Sequence, residues 1–567
     1  MTFGRLFAQA HAAVTCLNSL GIHRNDKVAI VLPNGPEMAV GFLYLACGAV
    51  AAPLNPAYGA SEFEFYLSDL DAKALVVQAG AVSPAIEVAR ARGIPVIEIV
   101  PKWKEAAGLF SFEGARSPSA SLPDLAGGED VALVLHTSGT TSRPKMVPLT
   151  HQNLCASAGH IREALELTPS DRCLNIMPIF HIHGLVASVL SSLSAGASVV
   201  ATPGFDAPRF FDWLAAFQPT WYTAVPTMHR AILARGAENP RAIGGGRLRF
   251  IRSCSSSLPP TLMAELEARF GVPVVEAYGM TEASHQMASN PLPPRIRKPG
   301  SVGVATGTET AIMEVGGPRL LAPGEVGEIV VRGPNVMHGY AHQVRDQAFT
   351  DGWFRTGDLG RLDVDGYLFI EGRIKEIINR GGEKVSPREV EEVLLQHPAV
   401  GQAVVFAMPD KSLGQDVAAA VVLRDPRVTE KQLRQFMATR VVHFKVPSRI
   451  LTLDALPLGP TGKPQRIGLA EKLGMTEQVA PVSDPASENV APRTPAEEFL
   501  AELWREVLNI PSVGIHQHFL DMGGDSLLAT RIVARVSQQL DVDVTLLDFL
   551  DAPTIADQAL MLTDKMR

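Results

Sequence analysis

The chain has 567 residues, 46% of them hydrophobic and 19% charged, with a formal net charge of −8. That length predicts three or four domains with sizeable cores, and the mildly acidic balance, without a long basic run, leaves nucleic acid no electrostatic footprint. Five cysteines (Cys16, Cys47, Cys155, Cys173 and Cys254) form no C-x-x-C pair. They argue against a disulfide framework or thiolate metal site and predict buried thiols in a reducing cytoplasm.

In chain order, Met1–Arg5 lacks the apolar core of a signal peptide. The longest apolar run, Ala39–Leu54, is interrupted by Gly41 and Gly48 and falls short of a membrane span. It predicts a buried helix and strand, and with them a cytoplasmic protein without a membrane span. From residue 24 to about 370, short β runs alternate with helical periods, as at Lys27–Leu32, Ala74–Val77 and Pro95–Val100. The alternation predicts layered α/β subdomains. Val131–Leu135 is another such run, and it delivers the loop Thr137-Ser138-Gly139-Thr140-Thr141-Ser142-Arg143-Pro144-Lys145. Small residues let backbone N–H groups and hydroxyls approach phosphate oxygens, and a lysine neutralises charge. The spacing is not G-x-x-x-x-G-K-[ST], so the kinase-like phosphate loop does not apply; a plain polar surface loop is the alternative.

Glu328–Gly333 opens a strand-rich, antiparallel section, and near Glu371–Lys375 the chain enters a smaller α/β unit that ends near Leu473. Val479–Pro495 is rich in Pro, Ala, Ser and Val without periodicity, which reads as a flexible linker. The remaining 75 or so residues show helical periodicity from Ala496 onward and predict a small bundle.

Five segments, in order, resemble one family: the adenylate-forming enzymes, comprising acyl-CoA synthetases, adenylation domains and luciferases. They are the loop Thr137–Lys145, Glu276-Ala277-Tyr278-Gly279-Met280-Thr281-Glu282, Trp353-Phe354-Arg355-Thr356-Gly357-Asp358, Gly372-Arg373-Ile374-Lys375-Glu376 and Pro460-Thr461-Gly462-Lys463. Most members carry Gly after the loop lysine; here it is Met146, which bears on the mobility of the loop's exit. Members also carry more residues ahead of the segment that Thr2–Leu6 resembles, so the N-terminal part looks short. A second resemblance covers Phe519-Leu520-Asp521-Met522-Gly523-Gly524-Asp525-Ser526-Leu527, which is similar to the phosphopantetheine attachment site of carrier proteins. The resemblances imply a large layered adenylation core at 1–371, a small mobile α+β subdomain at 372–478, a linker at 479–493 and an all-α four-helix carrier bundle at 494–567.

The implied chemistry joins a carboxylic acid to a thiol through an acyl-adenylate. Ser138, Gly139, Thr140, Thr141 and Lys145, with Thr137, would grip the β- and γ-phosphates of ATP. Glu276, Ala277 and Tyr278 would form the adenine segment, Thr281 would hold the α-phosphate and Glu282 a magnesium ion, a task suited to a hard carboxylate. Asp358 would accept from the ribose diol, with Arg373 reaching the same sugar. Lys463 would meet the acid's carboxylate and the α-phosphate. After rotation about Glu371–Lys375, Gly381 and Gly382 would line a thiol channel, unless they form a simple turn. Ser526 would head a helix and carry 4'-phosphopantetheine, installed by a phosphopantetheinyl transferase; an ordinary N-cap is the plainer reading. A flexible arm and linker would raise the local thiol concentration to about millimolar.

Amino-acid-selecting members place an Asp after the Phe of Met177-Pro178-Ile179-Phe180, and here that residue is His181. The stretch resembles CoA ligases, and Arg252–Leu258 with Thr281–Leu292 resembles their oxalate–CoA ligase branch. His181, His183, Ser255 and His285 offer donors to a small, polar, even dianionic acid; a His-x-His metal site would lack an evident third ligand. The favoured activity loads such an acid onto the chain's own Ser526. A CoA ligase using free CoA, with an accessory carrier, is the second reading, and a non-catalytic carrier or scaffold the third. In the first, a downstream acyl-accepting enzyme would collect the product.

Overall fold

The computed structural model describes residues 1–113, 124–137, 144–238, 246–341, 348–410, 413–457, 466–475, 490–519, 522 and 526–566. The described residues fall into two compact units, one ending at Lys375 and the other beginning at Glu376.

The first unit holds three sheets. In the first, seven strands run in the order Phe110–Phe112, Val96–Pro101, Ala74–Gln78, Lys27–Val31, Val50–Pro53, Val131–Thr137, Lys145–Thr150. The five central strands are parallel and the two edges antiparallel. Side chains alternate between faces along a strand, and Lys27–Val31 shows what that sorting does. Val28 and Ile30 enter one apolar cluster, while Ala29 and Val31 enter another. Both faces are covered, which is why such strands read as unbroken apolar runs. Ala39–Leu54 divides between a helix, Pro36–Ala46, and a strand, Val50–Pro53, both largely buried. Among the described residues no helix is long and apolar enough to cross a membrane.

The second sheet runs Val304–Ala305, His285–Ser289, Val274–Met280, Phe250–Ser253, Trp221–Ala224, Arg172–Asn175, Ser198–Ala201. Its last five strands are parallel, and the first two return antiparallel. The third sheet is antiparallel and contains Gly327–Arg332, Trp353–Leu362 and Leu368–Arg373. The section opened by Glu328 is therefore antiparallel.

Met146 has a physical role. It is 4% exposed, sits on the strand Lys145–Thr150 opposite His136, and packs with Val134, Leu54 and Val77 in the second apolar cluster. A strand position that faces a core accommodates this apolar side chain.

The second unit contains a five-stranded sheet in which Val400–Asp410 and Gly414–Leu423 form the long antiparallel pair. The helices Pro387–Leu394 and Glu430–Ala438 join its core. Four helices follow: Pro495–Leu508, Ser526–Leu540, Leu546–Asp551 and Ile555–Lys565. The first is capped by Thr494, whose hydroxyl accepts from the Glu497 N–H while Glu497 returns a bond to the cap. Trp504, Phe519, Ile532 and Ile555 close a separate apolar cluster. Most of the proposed linker lies outside the described residues.

The thiols need a correction. Cys173 and Cys254 are buried, but Cys16 and Cys47 are half-buried and Cys155 is exposed. Cys155 lies on the helix His151–Ala164, whose buried residues are Asn153, Leu154, Ser157, Ala158 and Ile161, so its position in the helical period turns it outward.

Candidate active site

Thr137 ends one strand and Lys145 begins the next, and the two residues face each other across the antiparallel ladder. Ser138, Gly139, Thr140 and Thr141 lie outside the described residues. The Lys145 ammonium stands 4.4 Å from the ring centroid of Tyr340.

The strand Val274–Met280 carries Glu276, Ala277 and Tyr278, and a 3-10 turn, Thr281–Ala283, follows it with Thr281 and Glu282 both buried. Glu276 turns inward, where its Oε1 accepts the Leu258 N–H at 2.9 Å and ties this strand to the Ser255–Leu258 loop. The chain then folds back on itself so closely that a Cβ on Gly279 would lie 1.7 Å from the His285 carbonyl oxygen. Only glycine fits there. At the reversal Ser284 has φ 49 and His285 φ 100, values that side-chain-bearing residues adopt at a cost.

The segment 337–340 meets Glu282 twice. The Tyr340 hydroxyl donates to its Oε1 at 2.8 Å, and the Met337 N–H donates to its backbone carbonyl at 2.8 Å. Burial pushes its carboxyl above the usual glutamate range, against the Tyr340 hydrogen bond and the Arg373 charge. Nearby, Asp358 is buried on the strand Trp353–Leu362 and pairs with Arg373 across the ladder, its Oδ1 3.0 Å from Arg373 Nε. The Tyr278 hydroxyl donates to the other Asp358 oxygen. Carboxylate oxygens have lone pairs to spare after one bond each, so Asp358 retains capacity for a diol.

A polar cluster sits on the second sheet. His183 is fully buried at the start of a π-helical segment, His183–Leu190, an irregularity frequent at functional sites. Its Nδ1 lies 3.0 Å from Ser255 Oγ and its Nε2 2.6 Å from Thr223 Oγ1. The His181 Nδ1 accepts the His183 N–H, and the His285 ring centroid is 5.1 Å from that of His183. Thr223 and Arg252 are neighbours on adjacent parallel strands. Arg252 is fully buried; it reaches Thr223 Oγ1 at 3.2 Å, His183 Nε2 at 3.4 Å and Gln286 Oε1 at 2.9 Å. These acceptors are all neutral, and the Arg252 Nε has no hydrogen-bond partner among the described residues. Because Arg252 donates toward Nε2, the His183 proton belongs on Nδ1, where Ser255 accepts it.

The structure thus brings Thr281, Glu282, Tyr278, Asp358 and Arg373 together, and separately His181, His183, Ser255 and His285. Arg252 and Gln286, which lie in the stretches that resemble the oxalate–CoA ligase branch but were given no role of their own, belong to these groups, and so do Thr223 and Tyr340, which fall in no quoted motif. A charged residue inside the apolar run Phe250-Ile251-Arg252 was the available signal for one of them; Tyr340 offered none. Among the described residues no cluster of three or more His, Cys, Asp or Glu could hold a metal. A cation held by one buried carboxylate and by nucleotide oxygens fits Glu282, since magnesium takes few protein ligands beside phosphates.

In the second unit Gly381 and Gly382, with φ 57 and 98, are the two central residues of the hairpin joining Ile378–Arg380 to Glu383–Val385. That turn alone favours a glycine pair. Ser526 is the first residue of the helix Ser526–Leu540. Lys463 lies outside the described residues.

Comparison with known proteins gives this geometry a family. Residues 1–341 match the AMP-binding enzyme model, 389–463 its C-terminal domain and 498–562 the phosphopantetheine attachment site. An oxalate–CoA ligase of Arabidopsis thaliana is 46% identical over 465 residues, covering 80% of this chain and 90% of the relative. One from Saccharomyces cerevisiae is 41% identical over 478 residues, covering 79% and 87%. Among solved structures, ATP-bound MatB from Rhodopseudomonas palustris superposes with a TM-score of 0.76 at 31% identity, covering 83% of this chain and 93% of that one. The chain therefore belongs to the AMP-binding, adenylate-forming enzymes, as an acid–thiol ligase with a phosphopantetheine attachment domain appended.

Proposed function

We propose that this enzyme adenylates a small carboxylic acid bearing a second anionic or strongly polar group, then transfers the acyl group to phosphopantetheine on its own Ser526. Arg252 carries the reading of the acid. A fully buried guanidinium whose acceptors among the described residues are neutral is an expensive arrangement until an anion joins it. A long alkyl chain would find His183, Thr223, Arg252 and Gln286 where it needs an apolar wall. The names of two relatives, oxalate–CoA ligase at 46% identity and sulfoacetate–CoA ligase of Cupriavidus necator at 37%, agree with a compact acid carrying two acidic groups.

In the first half-reaction a carboxylate oxygen of the acid bonds to the α-phosphorus of ATP, and the bond to the β-phosphate oxygen breaks to release pyrophosphate. Thr137–Lys145 holds the departing phosphates, Thr281 the α-phosphate, Asp358 and Arg373 the ribose, and Lys463 the acid's carboxylate. Magnesium, held by Glu282, would supply positive charge to the phosphates. Such reactions rest on positioning and charge stabilisation. In the second, the pantetheine sulfur bonds to the acyl carbon, AMP leaves, and the thiol proton is lost to solvent. Residues 372–478 would turn about the Glu371–Lys375 hinge between the two, and Gly381 and Gly382 would admit the arm.

The test is intact-mass analysis of chain treated with a phosphopantetheinyl transferase, ATP, MgCl2 and a panel of acids. Oxalate or malonate should add its acyl mass, Ser526→Ala should add none, and octanoate should lag both. Octanoate outrunning both would remove the substrate reading; pyrophosphate release without acyl mass would remove the carrier reading. The relatives' names also favour a second reading, in which free CoA is the acceptor. Faster thioester formation on added CoA than on Ser526 would select it. In the first reading, a separate acyl-accepting enzyme collects the product.

A further inference from the structure

Tyr340 belongs to none of the motifs that define the site, yet its short segment touches both halves of the phosphate-handling machinery. Its hydroxyl donates to Glu282 Oε1 at 2.8 Å, and its ring lies under the Lys145 ammonium at 4.4 Å. The backbone around it does the same twice over. The Met337 N–H donates to the Glu282 carbonyl at 2.8 Å, and the Ala341 N–H to the Met146 carbonyl at 3.0 Å. Residues 337–341 therefore fasten the glutamate of one sheet and the lysine strand of another.

We propose that Tyr340 is a positioning residue that sets two binding terms separately, its hydroxyl orienting the Glu282 carboxylate for a divalent cation and its ring holding the Lys145 ammonium near the phosphates. The inference rests on the roles proposed for Lys145 and Glu282. The two contacts use different parts of one side chain, so they are chemically separable. A hydroxyl hydrogen bond to a carboxylate fixes which oxygen lone pairs stay open. Cation–π attraction restrains a long, otherwise mobile lysine without consuming any of its three donors. The ammonium therefore keeps its whole hydrogen-bonding capacity for the triphosphate.

The experiment is direct binding of ATP by calorimetry, at several MgCl2 concentrations and in EDTA, with neither acid nor carrier thiol present. Tyr340→Phe keeps the ring and loses the hydroxyl. It should raise the magnesium concentration at half effect by about tenfold and leave ATP affinity in EDTA unchanged. Tyr340→Leu loses both and should in addition weaken ATP binding in EDTA by about threefold; Tyr340→Met serves the same purpose if the Leu variant does not fold. An unchanged magnesium midpoint in Tyr340→Phe, or equal EDTA affinities in the Phe and Leu variants, would overturn the assignment. If the wild-type chain binds ATP with no response to magnesium, the role of Glu282 fails first, and that result is told apart by Glu282→Gln behaving as wild type.

Discussion

Glu282 meets two opposed demands: the fold buries it, and the task proposed for it requires charge. Its pKa is raised by burial, so between the ordinary value of 4.5 and the raised one the folded chain binds more protons than the unfolded chain. Stability contributed by the protonated form is present at low pH and is lost as pH rises through that window. Cation binding runs the other way. Magnesium-dependent ATP binding should fade as pH falls through a value above 4.5, and Glu282→Gln should abolish the magnesium response, lower turnover by about 100-fold and raise the melting temperature at neutral pH. His229 has the opposite sign. It is fully buried, and burial pulls its pKa from 6.5 down to about 3. Its contribution is present above pH 6.5 and lost as pH falls toward 3. Urea titrations at pH 7 and pH 5 should show His229→Phe losing less stability between them than wild type, by about 2 kcal/mol.

At the scale of elements, Met146 shows how a family comparison can mark a residue that only packing explains. Its side chain belongs to the core beneath the strand Lys145–Thr150, so Met146→Gly should cost about 3 kcal/mol in chemical denaturation while ATP affinity falls far less. The strands themselves were legible because both faces are covered, and an apolar run such as Lys27–Leu32 has one reading. The helix and strand within Ala39–Leu54 were legible for the same reason, and Gly48 falls between them, whereas Gly41 lies inside the helix Pro36–Ala46. The proposed acid pocket was only half legible. His181 and His183 announce themselves locally, but Arg252 acquires its meaning from Thr223 on a neighbouring strand and Gln286 on a returning one. No local pattern encodes such pairings. Cys155 was misread because scattered thiols were given one common environment, whereas helix phase decides each.

At the scale of the whole chain, the last four helices close a core whose residues all lie between Val490 and Leu562. A fragment spanning 490–567 should therefore unfold cooperatively by itself, with a calorimetric transition that survives removal of the preceding residues. Within the second unit, Arg434 forks onto Asp551 at 2.7 and 2.6 Å, and Lys431 stands 3.8 Å from Asp548. Exposed pairs of this kind contribute about 0–1 kcal/mol each. Arg434→Ala should therefore leave the melting of the second unit within a degree or so of wild type.

The reversal at Ser284 and His285 has a consequence for how the enzyme would respond to selection for heat resistance. Two successive side-chain-bearing residues hold left-handed backbone there, beside the turn Thr281–Ala283, at a cost of about 1 kcal/mol or more each. Ser284→Gly relieves part of it, and so offers a single-step gain in heat tolerance bought by loosening the turn that aims Glu282 and His285. Directed evolution scored on survival alone would collect such changes and lose turnover without touching a single residue that binds substrate.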